Sequence, residues 1–143
     1  MAIIKDIYER NLEIRFLPES GGYIRYGFKF FSDTGSFFNP ALVSDEYFEC
    51  YEYGEDTLIP ILENTLNFEE PYTWNSLEPD IEINTNNDNG SIDIAISLNV
   101  AEFAPISKQV YGEFGIEVSF FVKKETLLQF IEDLKKEIKE MGK

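Results

Sequence analysis

Alternation of apolar and polar residues recurs along the chain and predicts mainly antiparallel strands. The clearest case is 91–100, where isoleucine, leucine or valine stands at almost every second position. The segment 80–84 alternates in the same way, and 85–90 between the two is rich in turn-forming residues. These segments therefore predict a hairpin that turns at Asn89-Gly90 or over a slightly longer loop.

Further strands are predicted by the same alternation, at 12–16, 23–31, 47–53 and 115–122. Within 23–31 the even positions form one apolar face, whereas Arg25 and Lys29 lie on the other, which is typical of a half-buried antiparallel strand. Aromatic residues interleave with these two cations, and we interpret the segment as a strand pattern and not as an RNA-binding face. The segment 3–10 fits either a strand or a short helix.

Apolar residues spaced three and four positions apart predict two helices. Leu58, Leu62 and Leu66 indicate a short helix over 57–66, and Asp56 can cap its first turn. The segment 124–141 predicts a longer helix, with an apolar stripe formed by Leu127, Ile131, Leu134, Ile138 and Met141. We therefore expect an α+β fold, in which an antiparallel sheet of about five to seven strands packs against a long C-terminal helix and one short helix.

Composition indicates a single domain, because no repeat or linker divides residues 1–143. The chain is 43% hydrophobic and 15% aromatic, so one core can form without metals or disulfides. The apolar runs are too short to span a bilayer, and the N-terminus lacks the pattern of a signal peptide. The cytoplasm is therefore the expected compartment.

The absence of histidine limits the chemistry that the chain can perform. It excludes Ser-His-Asp and Cys-His catalysis and histidine-ligated zinc. The single cysteine, Cys50, has apolar neighbours and reads as a small buried hydrophobe. We expect no catalytic residue, no metal and no cofactor, with a carboxylate-metal enzyme as the alternative that thermal stabilisation by a divalent cation would favour.

Charge is distributed unevenly around a formal net charge of −15. The segment 30–107 contains sixteen acidic residues and neither lysine nor arginine, so that the twelve basic residues lie in 5–29 and 108–143. Such a field repels nucleic acid and anionic membranes and attracts basic partners. We therefore expect a basic protein partner, with ordinary solubility as the other explanation of the charge.

Two segments combine carboxylates with aromatic side chains, as protein interfaces do. The first, 45–56, supplies the candidate contacts Asp45, Glu46, Glu49, Tyr51, Glu52, Tyr53, Glu55 and Asp56. The second, 68–78, supplies Glu69, Glu70, Tyr72 and Trp74. The alternatives are an edge strand whose charges discourage aggregation for the first segment, and an aromatic plug over the core for the second.

The order of elements in the second half of the chain resembles the WapI-like immunity proteins of bacterial toxin systems. The resemblance rests on a helix followed by a tryptophan connector and an acidic strand (74–83), a long alternating strand (92–100) and a strand-helix ending (115–134). It implies a small protein that binds and blocks a contact-dependent or polymorphic toxin domain, often a basic nuclease, without catalysis of its own. A non-catalytic adaptor or structural domain of a larger assembly is the alternative.

Overall fold

The computed structural model describes residues 2–17, 21–32, 35–36, 47–77, 81–98 and 116–141, which contain nine strands and two helices. The strands are β1 (Ala2–Lys5), β2 (Arg10–Leu17), β3 (Tyr23–Ser32), β4 (Gly35–Ser36), β5 (Phe48–Tyr53), β6 (Tyr72–Asn75), β7 (Ile81–Asp88), β8 (Ser91–Leu98) and β9 (Ile116–Lys123). The helices are α1 (Leu58–Asn67) and α2 (Lys124–Met141). The ambiguous segment 3–10 is thus a strand followed by a turn.

The strands form two antiparallel sheets. The first sheet has the order β1-β2-β3-β4, and β5 also pairs with β3, on the edge that β4 uses. The second sheet has the order β6-β7-β8-β9. The predicted α+β class is confirmed, but the strands divide into two sheets of five and four, and α1 connects β5 of the first to β6 of the second.

The predicted hairpin is the connection between β7 and β8. Asp88 pairs with Ser91, so the loop contains only Asn89 and Gly90. Both loop residues have positive φ, 53° and 91°, as a two-residue type I′ turn requires. Asparagine and glycine adopt this conformation more readily than other residues, which is why the sequence signal was informative.

The core lies between the inward faces of the two sheets and is closed by the helices. The ring of Trp74 in β6 packs edge-to-face on Tyr26 at 5.4 Å and lies 6.3 Å from Phe28, while Phe30 stacks on Phe120 at 6.0 Å. These ring pairs join β3 to the second sheet. The helices contribute the buried side chains Leu58, Ile59, Leu62, Leu66, Leu127, Phe130, Ile131 and Leu134.

Two polar side chains on the apolar face of β7 are explained by α1. Thr85 shares a 2.5 Å hydrogen bond with Thr65 of the helix. The Asn87 amide donates at 2.9 Å to the carbonyl of Thr65, one of the last carbonyls that no helical N–H can reach. Polar residues therefore interrupt the isoleucine face of β7 where the helix ends above it.

Within the described residues, no helix combines the length and the hydropathy that a bilayer crossing requires.

Candidate protein interface

Strand β5 presents an exposed aromatic surface on its outward face. Tyr51 and Tyr53 point outward, and Tyr53 is 67% exposed. Tyr23 of β3 meets Tyr53 edge-to-face at 5.2 Å. The exposed Leu77 donates its N–H to the carbonyl of Tyr51 at 2.8 Å, which brings the end of the second sheet to β5. Tyr23, Tyr51, Tyr53 and Leu77 are called the tyrosine patch below.

Two acidic residues accompany the tyrosine patch. Glu55 lies in the exposed turn directly after β5. Glu49, on the outward face of β5, forms a 2.5 Å ion pair with Arg25 of β3, and both side chains are partly exposed. The carboxylate of Glu49 is therefore shared with an internal cation, whereas Glu55 adds its charge directly to the surface beside Tyr53.

Glu52, by contrast, points into the protein. It follows Phe48 and Cys50 on the inward face of β5 and is only 9% exposed. Its carboxylate accepts hydrogen bonds from Tyr26 Oη at 2.6 Å and from the Thr57 N–H at 2.8 Å. The Thr57 hydroxyl is a third donor, and the Trp74 indole lies 3.3 Å away. This carboxylate is satisfied by donors from β3, β6 and the start of α1.

Asp56 joins the same network from the turn before α1. Its carboxyl group lies 2.5 Å from Tyr26 Oη and accepts from the N–H groups of Leu58 and Ile59 at 3.2 and 3.3 Å. Burial raises the pKa of Asp56, the Tyr26 and helix hydrogen bonds oppose the rise, and the nearby charge of Glu52 adds to it. The predicted cap of α1 by Asp56 is confirmed: from the position before the N-cap residue Thr57, its carboxyl group accepts from two first-turn amides that have no partner within the helix.

Tyr26, Glu52, Asp56, Thr57 and Trp74, here called the Tyr26 cluster, tie β3, β5, β6 and α1 together. Burial, together with the two carboxyl groups, raises the pKa of the Tyr26 hydroxyl, so it remains a proton donor. Glu52 and Trp74, two of the predicted partner contacts, are both buried in the folded structure and are not offered on its surface. The Tyr26 cluster instead holds β5 in place behind the tyrosine patch.

The second predicted group lies apart from the first. Glu69 and Glu70 are exposed just beyond the C-terminal end of α1, and Tyr72 is half-buried. The ten residues of α1 separate them from Asp56 by about 15 Å. Glu69, Glu70 and Tyr72 therefore belong to a different surface, at the opposite end of α1. The two remaining predicted contacts, Asp45 and Glu46, lie outside the described residues.

The loop between β1 and β2 contains an interaction that the sequence reasoning missed. Asp6 has a fully buried side chain and forms a 2.7 Å ion pair with Arg10, whose guanidinium also donates to the carbonyl of Ser119 at 2.7 Å. The N–H of Ile7 donates to the carbonyl of Phe121 at 2.9 Å. The loop thereby covers the outer edge of β9, and the four-residue spacing of an acid and an arginine was its only sequence signal.

Comparison with known proteins assigns no family to this chain, because no family model, curated protein or solved structure matches it. Among the described residues, no three carboxylate or thiol side chains lie together as metal ligands would. The site is therefore characterised by its own geometry, a rigidly backed surface of tyrosines and carboxylates.

Proposed function

We propose that this chain is a non-catalytic binding protein that neutralises a basic protein by covering its active site, as an immunity protein does for a toxin domain. The observation that carries the proposal is the tyrosine patch, with Glu55 and Glu49 beside it on an edge strand. Tyrosines supply large contact areas with few rotatable bonds, and carboxylates orient the basic side chains of a partner.

The charge distribution supports a basic partner. The outward residues of β7 and β8 include Glu82, Asp88 and Asp93, and the stretch from 30 to 107 contributes no cation to balance them. Of the cations at the N-terminal end, Arg10, Arg15 and Arg25 form ion pairs with Asp6, Glu13 and Glu49. A partner that approaches from the second sheet or from β5 therefore meets predominantly negative charge.

This charge also supports a mechanism of stoichiometric occlusion. A nuclease-type toxin domain binds phosphates through basic residues, and a carboxylate surface can occupy the same cleft. Complementary charge accelerates association by roughly 10- to 1,000-fold at low salt, and this acceleration is lost as ionic strength rises. Fast binding is useful to a protein that must capture a toxin before it acts.

The experiment is co-expression with the C-terminal part of the protein encoded directly upstream, in a test bacterium. Killing that is relieved only by co-expression of this chain supports the proposal. A harmless upstream product, or equal killing with and without this chain, refutes the toxin reading. A stable oligomer of this chain alone in size-exclusion chromatography, without rescue, would favour an adaptor role.

Two single-charge variants separate the tyrosine patch from the net charge. Glu55→Gln and Glu132→Gln each remove one exposed negative charge, the first beside Tyr53 and the second on the outward side of α2. If the patch contacts the partner, Glu55→Gln weakens toxin binding about tenfold, whereas Glu132→Gln changes it less than twofold. Equal effects would show that only total charge matters and would remove the patch from the interface.

Tyr53→Ala tests the aromatic part of the surface. The side chain is mostly exposed, so its loss has little effect on the core, while an anchor at an interface contributes more than about 1 kcal/mol of binding free energy. Surface plasmon resonance at two salt concentrations would measure the association and dissociation rates of the Tyr53→Ala and Glu55→Gln variants. The tyrosine variant should raise the dissociation rate, and the glutamine variant should lower the association rate.

A further inference from the structure

A groove of about 320 Å³ lies on the outward face of the second sheet, at the end where β8 begins and β9 finishes. The side chains of Phe121 and Ile7 line it, together with Ser91, Asp93 and Lys123. Ile7 is 55% exposed and Phe121 is 39% exposed. The adjacent Tyr8 packs edge-to-face on Phe121 at 6.0 Å, which extends the apolar surface.

Asp93 gives this apolar groove one polar feature. Asp93 in β8 pairs with Phe121 in β9, so the two side chains emerge side by side on the same face of the sheet. The Asp93 Oδ1 atom is inaccessible to solvent and has no hydrogen-bond donor among the described residues. Water cannot reach this oxygen as the side chain lies, so a bound group forms the missing hydrogen bond only when the half-exposed carboxylate turns toward the groove.

The wall of the groove is held firmly. Ile7 belongs to the β1–β2 loop, which its own N–H anchors to the carbonyl of Phe121. Arg10, paired with the buried Asp6 of the same loop, donates to the carbonyl of Ser119, and Asp6 accepts from the N–H of Phe121 at 3.4 Å, so both residues fasten the loop to the edge of β9. The distance between Ile7 and Phe121 is therefore set by several contacts before any ligand arrives.

We propose that this groove receives a lysine or arginine side chain of the basic partner, with the aliphatic stem between Ile7 and Phe121 and the cationic group on Asp93. The inference rests on the proposed function for the identity of the partner. Long basic side chains combine an apolar stem with a charged end, which matches a mainly apolar groove with a carboxylate in its lining. Lys123 also lines the groove and is exposed, so its positive charge opposes a bound cation and its removal is part of the test.

The test uses the full chain, ¹⁵N-labelled, titrated with n-butylguanidinium as a mimic of the arginine side chain. We expect saturable shifts of the amides of Ser91, Asp93 and Phe121, and none from butyrate, which has a similar stem but a negative charge. Asp93→Asn should lower the affinity for the probe about tenfold. Asp88→Asn, which removes an exposed charge at the hairpin of the same sheet, should leave it unchanged.

Further variants keep the proposal falsifiable if Asp93→Asn perturbs the fold. Lys123→Met should raise the affinity for the probe, because it removes a positive charge from the lining of the groove. Ile7→Ser should lower this affinity, because it removes part of the apolar wall. Linear shifts without saturation, shifts spread over every acidic surface, or equal affinities of Asp93→Asn and Asp88→Asn would overturn the proposal.

Co-expression separates this proposal from the proposed function. If the groove contacts the partner, Asp93→Asn protects the test bacterium less well than Asp88→Asn does, and equal protection would overturn the assignment of the groove to the partner. Failure of the unaltered chain to protect, with the probe still bound at Asp93, would refute the toxin reading and leave the groove's preference for a cationic side chain supported.

Discussion

Replacement of Tyr26 by phenylalanine isolates the hydroxyl at the centre of the Tyr26 cluster. The ring is fully buried and has the same shape in the variant, so packing against Trp74 is retained and only Oη is lost. That atom lies 2.6 Å from a Glu52 oxygen and 2.5 Å from an Asp56 oxygen. Because a hydroxyl donates one proton, the substitution removes one charge-assisted hydrogen bond outright.

The expected magnitude follows from the donors that remain. A hydrogen bond to a charged group contributes about 1.5–3 kcal/mol. Glu52 keeps the N–H of Thr57, and Asp56 keeps the N–H of Leu58, so neither carboxyl group loses all its partners. Tyr26→Phe should therefore lower the free energy of unfolding by about 2 kcal/mol at pH 7, near the lower part of that range.

The assay is urea denaturation followed by the fluorescence of Trp74, the single tryptophan of the chain, and by circular dichroism. Tyr51→Phe is the matched control, because it deletes the same atom from an outward-facing tyrosine. The control should change stability by less than about 0.5 kcal/mol. If the two variants agree within that margin, the hydroxyl of Tyr26 does not hold the cluster together and the reasoning fails.

Two further predictions concern pH. Burial raises the pKa of Asp6, but hydrogen bonds from Arg10 and from the backbone of Tyr8 outweigh this effect and lower the pKa below its usual 3.8. Asp6→Asn should therefore lower the free energy of unfolding by about 2 kcal/mol at pH 7. The difference in stability between the variant and the wild-type protein should disappear below the folded-state pKa of Asp6, where the wild-type carboxyl group is protonated. Asp56 has the opposite sign, because its raised pKa lets the native state retain a proton that the unfolded state releases above pH 3.8. The wild-type protein therefore loses stability as pH rises from 3.8 to the folded-state pKa of Asp56, and Asp56→Asn, which keeps a helix-capping side chain, should gain stability relative to it over that range. A pH-independent difference between Asp56→Asn and the wild-type protein would contradict this assignment.

Local patterns were sufficient for most of the elements. The alternation in 91–100, the Asn89-Gly90 turn and the spacing of Leu58, Leu62 and Leu66 each depend on neighbours in the chain. The structure has the strand over Ser91–Leu98, the turn and the helix, and 99–100 lie outside the described residues. Strand β6 has no comparable pattern, because its four residues lie in an irregular aromatic segment and alternate over too short a stretch. Its pairing with β7 creates the strand, and that pairing is a tertiary contact.

In the candidate interface, too, local sequence pattern predicts part of the arrangement and tertiary contacts decide the rest. Alternation along β5 already indicates that Glu52 shares a face with Phe48 and Cys50, but an acidic residue among tyrosines reads as a surface charge. Only the packing of Tyr26 and Trp74 behind β5 makes its burial favourable, since these side chains, together with Thr57, supply the donors that a buried carboxylate requires.

The sequence by itself determined the α+β class, the main strands and helices, the hairpin turn and the strongly negative charge, because each depends on residues close in the chain or on composition alone. The tertiary structure decided how the strands divide between two sheets, which carboxylates are buried, and where the β1–β2 loop meets β9 to form the groove. These features depend on contacts between residues far apart in the chain, such as Asp6 with Phe121 and Tyr26 with Trp74. The free energy of such contacts depends on packing and on hydrogen-bond partners, which periodicity does not encode.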